Sequence, residues 1–436
     1  KGGVYRWVGE AFGKKWGFLA IWLQWIESTI WFPTVLTFAA VSLAFMGPGQ
    51  RWDEALAANK WYVLIVVLCV YWAATLLNLR GMKTSAGVTK WGTIIGTIIP
   101  GAILILLGLG YWAGGNPILL DMSWDKLVPD MSNFNNLVLA ASIFLFYAGM
   151  EMSAVHVKDV NNPGRNYPLA ILISAIITVL IFVLGTLAIG FIIPNSQINL
   201  VQSLLITYDS YFSFFGLGWM NWILALALAV GVLAQVTAWV GGPSKGLYQV
   251  GLAGNLPPVM QKRNKNNVQM GILLIQGGIV TLLSIMFVIM PSVQSAYQII
   301  SQLTIILYLI MYMLMFASGI YLRYREPNTP RTFRIPGGRT FGMWVVGGLG
   351  LLASLAAFLV SFIPPNQITV GSSTMYVLLL VVGTFIFAGI PFIIHAMAKP
   401  SWKRPVDPED AFEPFGWEKS NGSHSAATPS HSISHE

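Results

Sequence analysis

The sequence predicts an all-α membrane protein that crosses the bilayer ten times, and three observations carry this prediction. Of its 436 residues, 55% are hydrophobic and only 10% are charged, with a mean hydropathy of +0.66. A soluble protein carries about a quarter charged residues, so soluble enzyme folds are excluded. Apolar runs of about 20 residues, long enough to span a bilayer as a helix, recur along the chain. Lys and Arg are concentrated in every second one of the loops that separate these runs.

Each apolar run predicts a transmembrane helix. The runs are about twice as long as a barrel strand needs to be and do not alternate apolar with polar residues, so helices are predicted and not strands. Tryptophan or tyrosine stands at many ends, as interfacial anchors do. The ten predicted spans are Trp16–Phe45, Trp61–Leu79, Trp91–Trp112, Leu137–His156, Leu169–Ile193, Trp219–Val240, Met270–Met290, Ile299–Tyr321, Phe341–Ile363 and Tyr376–Ala398.

The positions of Lys and Arg test this map, because cytoplasmic loops carry an excess of positive charge. Arg51, Lys60 and Lys126 fall on one side of the predicted membrane, and the other 22 of the 25 Lys and Arg residues fall on the opposite side. Both ends of the chain are therefore predicted to be cytoplasmic, as an even number of spans requires. The net charge of +8 therefore reflects the orientation of the chain in the membrane and does not indicate binding to nucleic acid. The expected partner is the lipid bilayer.

Two regions follow from this map. Residues 1–398 are predicted to form one transmembrane core that holds the functional site, because the loops are too short for a soluble domain. Residues 399–436, where Ser, Pro and His accumulate, are predicted to be a cytoplasmic tail. The single cysteine, Cys69, lies in an apolar run, and neither a disulfide, a cofactor nor a metal ion is expected.

Ionisable residues inside the spans are candidates for a binding site, because each costs about 2.5 to 3.5 kcal/mol to insert. Glu151 is the most informative, since Gly149 and small residues weaken the helix where this carboxylate enters the membrane. An interrupted helix leaves backbone groups and helix ends free to hold a polar substrate. The alternative is a protonated glutamate bonded to a neighbouring helix. For Glu27, in an uninterrupted run, an interhelical hydrogen bond is the favoured interpretation.

Three aromatic residues are further candidates. Tyr308 and Tyr312 lie four residues apart on one helix face, so their hydroxyls either donate together to a carboxylate or bond backbone within the bundle. Trp239 precedes two glycines and a proline that end its apolar run, and either lines a cavity or anchors the interface. His156 and His395 are predicted to lie near the membrane surface without a role in the site.

Several motifs together resemble those of a known family. The stretch 148–170 holds a glycine-x-glutamate, an Asn-Pro-Gly-Arg and a Tyr-Pro. Gly-Gly-Val-Tyr-Arg-Trp at 2–7, the stretch 231–256 and Arg-Thr-Phe-Arg-Ile-Pro-Gly-Gly at 331–338 accompany it. The set resembles the amino acid, polyamine and organocation (APC) superfamily, and within it the bacterial glutamate/GABA antiporters. This implies a LeuT-like inverted-repeat fold of twelve helices, of which ten are visible as helices three to twelve, with two more expected upstream.

The resemblance also implies a function. It is that of a secondary active antiporter, not an enzyme, which exchanges extracellular glutamate for intracellular 4-aminobutyrate (GABA) in a bacterial inner membrane. Gly149, Glu151, Trp239, Tyr308 and Tyr312 would line the substrate path. A cytosolic glutamate decarboxylase would be its functional partner, because decarboxylation consumes a proton and so supports acid resistance. The alternatives are an exchanger of another amino acid and its amine, such as arginine and agmatine, or a non-transporting amino acid sensor.

The tail carries a possible response to pH. Histidine titrates between pH 5 and 8, so the tail gains up to three positive charges as the cytosol acidifies. The resemblance implies a C-terminal segment that closes the cytoplasmic mouth near neutral pH. We expect Phe412, Phe415 and Trp417 to anchor this segment, and a disordered tail is the alternative. The three histidines, all within the last 13 residues, are His424, His431 and His435.

Overall fold

The architecture is a bundle of helices. The structure is a computed structural model, and at residues 50 and 82–86 it describes the backbone alone. It describes residues 3–47, 49–123, 138, 140, 143, 148–152, 154, 160–331, 333–338, 340–365, 370–404 and 415–418.

The described chain is built from helices joined by loops. In order they are α1 (Gly3–Phe12), α2 (Lys14–Ala44), α3 (Gln50–Ala57), α4 (Lys60–Leu79), α5 (Met82–Thr93), α6 (Ile99–Ala113), α7 (Pro163–Ile192) and α8 (Ser203–Phe214). They continue as α9 (Asn221–Val250), α10 (Met270–Ser284), α11 (Met286–Ile289), α12 (Val293–Arg325), α13 (Phe341–Met343), α14 (Leu349–Val360) and α15 (Ser373–Met397). Five-residue π-helical segments follow α5, α9 and α13, at Ile94–Ile98, Gly251–Asn255 and Trp344–Gly348. Short 3₁₀ turns lie at Asn195–Gln197, Gly218–Met220 and Pro400–Trp402.

Nine helical stretches within the described residues are long and apolar enough to cross a membrane. They confirm nine of the ten predicted spans, whereas the fourth, Leu137–His156, lies mostly outside the described residues. Several helices extend beyond their predicted ends. The helix predicted to start at Ile299 begins at Val293, because the Ser292 hydroxyl accepts a hydrogen bond from the Ser295 N–H and caps it.

The end predicted for α9 at Val240 is wrong. The helix continues through two glycines and Pro243 to Val250. Glycine at 241 has a packing role in this helix, because a Cβ there would lie 2.8 Å from the Asn78 side-chain oxygen. The Asn78 amide in turn donates to the Thr237 carbonyl at 2.9 Å, and so holds α4 and α9 together at this point.

The central helix of the bundle is α2. It packs against α1, α4, α9, α10, α12 and α15, and 83% of its most apolar 18 residues are buried. In α7 none of the corresponding 18 residues is buried, so this helix lies at the outside of the described bundle. Because α2 is shielded from lipid, its middle carries buried polar side chains, among them Gln24, Glu27 and Ser28. Buried polar residues are the informative ones, and here they lead to the site.

One end of the bundle, called here the basic end, is where α2 begins and α12 ends. It carries Lys14, Lys15, Arg323 and Arg325. The short helix α1 lies across this end in contact with both α2 and α12. The Arg325 guanidinium donates to the carbonyl of Glu10 at 3.4 Å, which ties α12 to α1.

Candidate functional site

The chain turns sharply at Gly149, within the segment predicted to interrupt a helix. Gly149 has φ of +100°, in the left-handed region that glycine adopts without strain, and residues 150–152 form a single 3₁₀ turn. A Cβ at this position would lie 2.8 Å from the Trp239 ring on α9. Glycine is therefore needed both for the backbone conformation and for the close approach of α9. The described residues 148–152 therefore form a turn and not a continuous α-helix.

The Glu151 carboxylate accepts hydrogen bonds from three side chains on two helices. Tyr312 donates to Oε2 at 3.0 Å, and Gln24 of α2 donates to Oε1 at 3.2 Å. Tyr308 donates to Oε1 in a short hydrogen bond. The rings of the two tyrosines meet edge to face on α12, with 4.6 Å between their centroids. Of the two uses predicted for the tyrosine pair, the structure shows the one in which both hydroxyls donate to a carboxylate.

A cavity of about 440 Å³ lies beside this cluster. Trp239, Trp31, Glu27 and Tyr308 are among the residues that line it. The rings of Trp31 and Trp239 are 5.6 Å apart and tilted by 58°, so α2 and α9 each contribute one aromatic wall. Of the two uses predicted for Trp239, the structure thus places it on a cavity wall. Tyr308 connects this cavity to the Glu151 cluster, since its hydroxyl bonds that carboxylate.

Glu27 also faces the cavity. Its side chain is only 4% exposed, yet its Oε1 has no hydrogen-bond partner among the described residues. The interhelical hydrogen bond favoured from the sequence is therefore not found in this part of the chain, and the carboxylate instead accepts from the backbone N–H of Ser28 on its own helix. Glu27 lies close enough to Glu151 for their charges to interact.

Sequence reasoning missed two residues of this region. Gln24 and Trp31 are uncharged, so they did not stand out within an apolar run. They lie three residues before and four residues after Glu27, which places all three on one face of α2. This spacing is the signal that would have indicated them. The same helix also forms a buried hydrogen bond to α10, in which the Trp25 indole N–H donates to the Gln276 side-chain oxygen at 2.8 Å.

Residues 415–418, called here the docked tail segment, pack on α1 at the basic end. Phe415 is buried against Gly9, where a Cβ would lie 2.6 Å from its ring. The Tyr5 ring lies 5.6 Å from the Phe415 ring, and the Arg6 guanidinium lies 5.0 Å above it. Trp417 stacks on Phe415 and donates to the Gly9 carbonyl at 3.2 Å. Two of the predicted aromatic anchors, Phe415 and Trp417, are therefore in contact with the bundle.

Charged groups frame the docked tail segment. The Gly416 N–H donates to both oxygens of the Glu10 carboxylate, at 2.9 and 3.1 Å, and Arg6 pairs with this carboxylate at 2.5 Å. Lys14 pairs with Glu418 at 2.5 Å. Burial raises the pKa of Glu418, but the bond to Lys14, the Phe415 N–H and the nearby positive charges outweigh it, so the pKa lies below its usual value of 4.5.

Other predicted residues stay untested. Phe412, His156 and the tail histidines His424, His431 and His435 lie outside the described residues. His395 is found in the last turn of α15, and its Nδ1 is buried without a hydrogen-bond partner among the described residues.

Together, a bundle of membrane-spanning helices, a sharp turn at a glycine and a half-buried carboxylate beside a cavity are features of a polytopic membrane transporter. The chain belongs to the amino acid permease family, whose model matches residues 1–387. The family resemblance predicted from the motifs is thereby confirmed. The protein is a multi-pass transporter and not an enzyme.

Similarity to individual transporters extends over most of the chain. An uncharacterised transporter of Legionella pneumophila is 38% identical over 90% of this chain and 83% of its own length. A glutamate/gamma-aminobutyrate antiporter of Lactococcus lactis is 32% identical over 91% of this chain and 78% of its own length. A probable agmatine/putrescine antiporter of Lactococcus lactis is 24% identical over 77% of this chain and 70% of its own length.

Proposed function

We propose that this protein exchanges an extracellular amino acid for the intracellular amine formed by its decarboxylation, with glutamate and 4-aminobutyrate as the pair. The observation that carries the proposal is the Glu151 cluster, in which a carboxylate beside a glycine break is bonded to Tyr308, Tyr312 and Gln24. The similarity to glutamate/gamma-aminobutyrate antiporters supports this substrate pair. The adjoining cavity of about 440 Å³ falls within the usual size range of small-molecule sites.

The cluster suggests how substrate binding is linked to movement. Glu151 lies on the broken segment, whereas its donors lie on α12 and α2. Alternating access requires a broken helix to move against its neighbours. A substrate that competes for the tyrosine hydroxyls or for the carboxylate weakens these bonds, and so shifts the balance between the two conformations. We therefore assign Gly149, Glu151, Trp239, Tyr308 and Tyr312 to the substrate path.

The proposed setting is a bacterial cytoplasmic membrane with the basic end facing the cytosol, as the distribution of Lys and Arg favours. A cytosolic glutamate decarboxylase would supply 4-aminobutyrate and consume one proton per turnover. Export of that amine in exchange for glutamate would sustain the decarboxylation. The exchanger would thus contribute to acid resistance.

We also propose that residues 399–436 close the basic end near neutral pH. The docked tail segment already lies against α1 through Phe415 and Trp417. Its binding surface carries Arg6, which pairs with Glu10, and Lys14, which pairs with Glu418 of the tail. Protonation of His424, His431 and His435 would add positive charge to a tail bound beside these cations, and repulsion would favour release.

A second substrate class is favoured by the charge of the site. Two carboxylates, Glu27 and Glu151, lie in or beside the cavity, and the described residues that line it include no Lys, Arg or His. Such a site suits cationic substrates, as in an agmatine/putrescine exchanger. A polyamine or agmatine exchanger is therefore the alternative.

Exchange in proteoliposomes tests both proposals. The full chain is reconstituted in vesicles loaded with 4-aminobutyrate, agmatine, putrescine or no substrate, and uptake of radiolabelled glutamate is followed at pH 5.5. We expect uptake only into vesicles loaded with 4-aminobutyrate. Uptake of radiolabelled agmatine into putrescine-loaded vesicles, with no glutamate uptake, would establish the alternative. If the protein binds glutamate but takes up neither glutamate nor agmatine into any of the loaded vesicles, both exchangers are excluded and a non-transporting sensor is indicated.

A further inference from the structure

Glu27 is a buried carboxylate on the wall of the cavity between α2 and α9. Its side chain is almost fully buried, and its Oε1 has no hydrogen-bond partner among the described residues. Although the Ser28 backbone N–H bonds this carboxylate, burial of a carboxylate that lacks a cationic partner is costly, so a cation in the cavity would stabilise it. Since Glu27 lines the cavity, that ligand is able to reach it from the cavity.

Glu151 is already committed to protein donors. A carboxylate offers about four acceptor positions, and Tyr308, Tyr312 and Gln24 occupy three of those on Glu151. Both Tyr308 and Gln24 donate to the same oxygen, Oε1. Of the two carboxylates, only Glu27 is among the described residues that line the cavity, and its Oε1 has no hydrogen-bond partner among them.

The surroundings of Glu27 select positive charge. Trp31, one turn along α2, and Trp239 on α9 line the same cavity with their rings 5.6 Å apart. Aromatic faces attract cations, and indole does so most strongly. The described lining residues include neither Lys, Arg nor His that would neutralise Glu27 or attract an anion. An ammonium ion satisfies both features, because it donates to the carboxylate and lies against the aromatic faces.

We infer that Glu27 binds the ammonium group of the transported amine, with Trp31 and Trp239 as the walls of the ammonium subsite. The substrate class is then a primary ammonium compound, and the carboxylate end of 4-aminobutyrate extends away from Glu27. This inference rests on the proposed exchange function, because glutamate and 4-aminobutyrate both carry an ammonium group. It adds a specificity-determining residue on α2 to the residues proposed from the broken segment, α9 and α12.

The test compares two competitors that differ at one group. Exchange of radiolabelled 4-aminobutyrate is inhibited by unlabelled 4-aminobutyrate or by 4-hydroxybutyrate, in which a hydroxyl replaces the ammonium group. The native protein is expected to prefer the amine strongly. In Glu27→Gln the inhibition constant of the amine should rise roughly 10- to 100-fold, the range for loss of a hydrogen bond to a charged group, while that of 4-hydroxybutyrate changes little.

Asp53→Asn is the matched control. Asp53 is also buried with an oxygen that has no partner in the described chain, but it lines a different cavity, with Asp209 and Asn221. Its replacement removes one buried negative charge and should leave the preference for the amine unchanged. An unchanged preference in Glu27→Gln, or an equal loss for both competitors, would overturn the inference.

A binding measurement separates this inference from the exchange function. Thermal unfolding of the purified full-length chain is followed with 4-aminobutyrate, 1,4-diaminobutane or 4-hydroxybutyrate added. The two amines should raise the midpoint of the native protein and of Asp53→Asn, but not of Glu27→Gln. If the native protein binds amines through Glu27 but exchanges neither substrate pair, the proposed function fails and the ammonium subsite stands. If both variants respond to amines alike, the subsite fails whatever the transport result.

Discussion

Glu151 and Glu10 each organise one region of the molecule, and they do so in opposite electrostatic surroundings. Glu151, in the middle of the bundle, accepts from the neutral groups of Tyr308, Tyr312 and Gln24. Glu10, at the basic end, is partly exposed and pairs with Arg6 while it accepts from the backbone of the docked tail segment. The same functional group thus joins internal elements in one place and holds a peripheral segment in the other.

The two clusters differ in what it would cost to remove the carboxylate from its partners. Tyr308 and Gln24 are buried donors, and a buried donor that loses its acceptor is costly, so removal of the Glu151 carboxylate would be costly. The groups around Glu10 are partly solvated, and exposed ion pairs contribute little and are screened by salt. The buried cluster is therefore suited to a substrate site, and the exposed cluster to a contact that forms and breaks readily.

The largest effect is expected from Glu151→Ala. Without the carboxylate, the buried side chains of Tyr308 and Gln24 lose their acceptor, at about 1 to 3 kcal/mol for each donor left unsatisfied. Exchange in proteoliposomes should fall at least roughly a hundredfold. Glu10→Ala is the control and should retain exchange, because its carboxylate contacts the tail and not the cavity. Equal losses in the two variants would remove the distinction between the clusters.

The next effect is expected from Gly149→Ala, which changes the backbone that positions Glu151. Alanine is strained at φ of +100°, and its Cβ would lie 2.8 Å from Trp239. We expect a loss of about 1 to 3 kcal/mol in stability, measured by unfolding of the purified protein, together with weaker exchange. The double variant Gly149→Ala, Trp239→Ala removes the steric contact and should recover only part of the stability. Full stability in the single variant would contradict the need for glycine.

The sequence predicted the membrane helices well because composition alone identifies them. The Glu151 cluster was partly predictable, since a charged residue beside glycine in an apolar run and two tyrosines four residues apart are local patterns. The hydrogen bond between Tyr308 and Glu151 was not predictable, because these residues are 157 positions apart in the chain. No local pattern specifies which helix faces which.

Three residues of α2 show why part of the candidate site was not predicted from the sequence. Gln24 and Trp31 are ordinary packing residues by type, and only the position of α2 at the centre of the bundle brings them to the site. For Glu27 the predicted hydrogen bond followed from the cost of an unpaired buried carboxylate. A cavity at that position is a property of the packed helices, and so the free oxygen was not foreseen.

A smaller effect is expected at the basic end, from the double variant Phe415→Ala, Trp417→Ala. These rings account for the apolar part of the docked tail segment, and burial of one aromatic side chain contributes about 1.5 to 3 kcal/mol. If the tail closes the basic end, exchange at pH 7.5 should rise roughly fivefold to tenfold, and exchange at pH 5.5 should change little. Truncation after Pro405 should give the same profile. Unchanged exchange at pH 7.5 in both variants would show that the tail does not close the pathway.

The smallest effect is expected from Glu418→Gln, and it separates two sources of pH dependence. The pKa of Glu418 in the docked segment lies below its usual value of 4.5, so its ion pair with Lys14 stabilises docking above pH 4.5 and is lost only as the pH falls through that lower value. Between pH 5 and 7.5 Glu418 therefore stays charged. Its replacement should raise exchange by roughly twofold across this range, as for an exposed ion pair, without moving the midpoint of the pH profile.

Replacing His424, His431 and His435 by Asn should instead flatten the pH profile of exchange, because protonated histidines are the groups proposed to release the tail. A profile flattened by Glu418→Gln but not by the histidine variant would transfer the pH response from the tail histidines to the ion pair at the basic end.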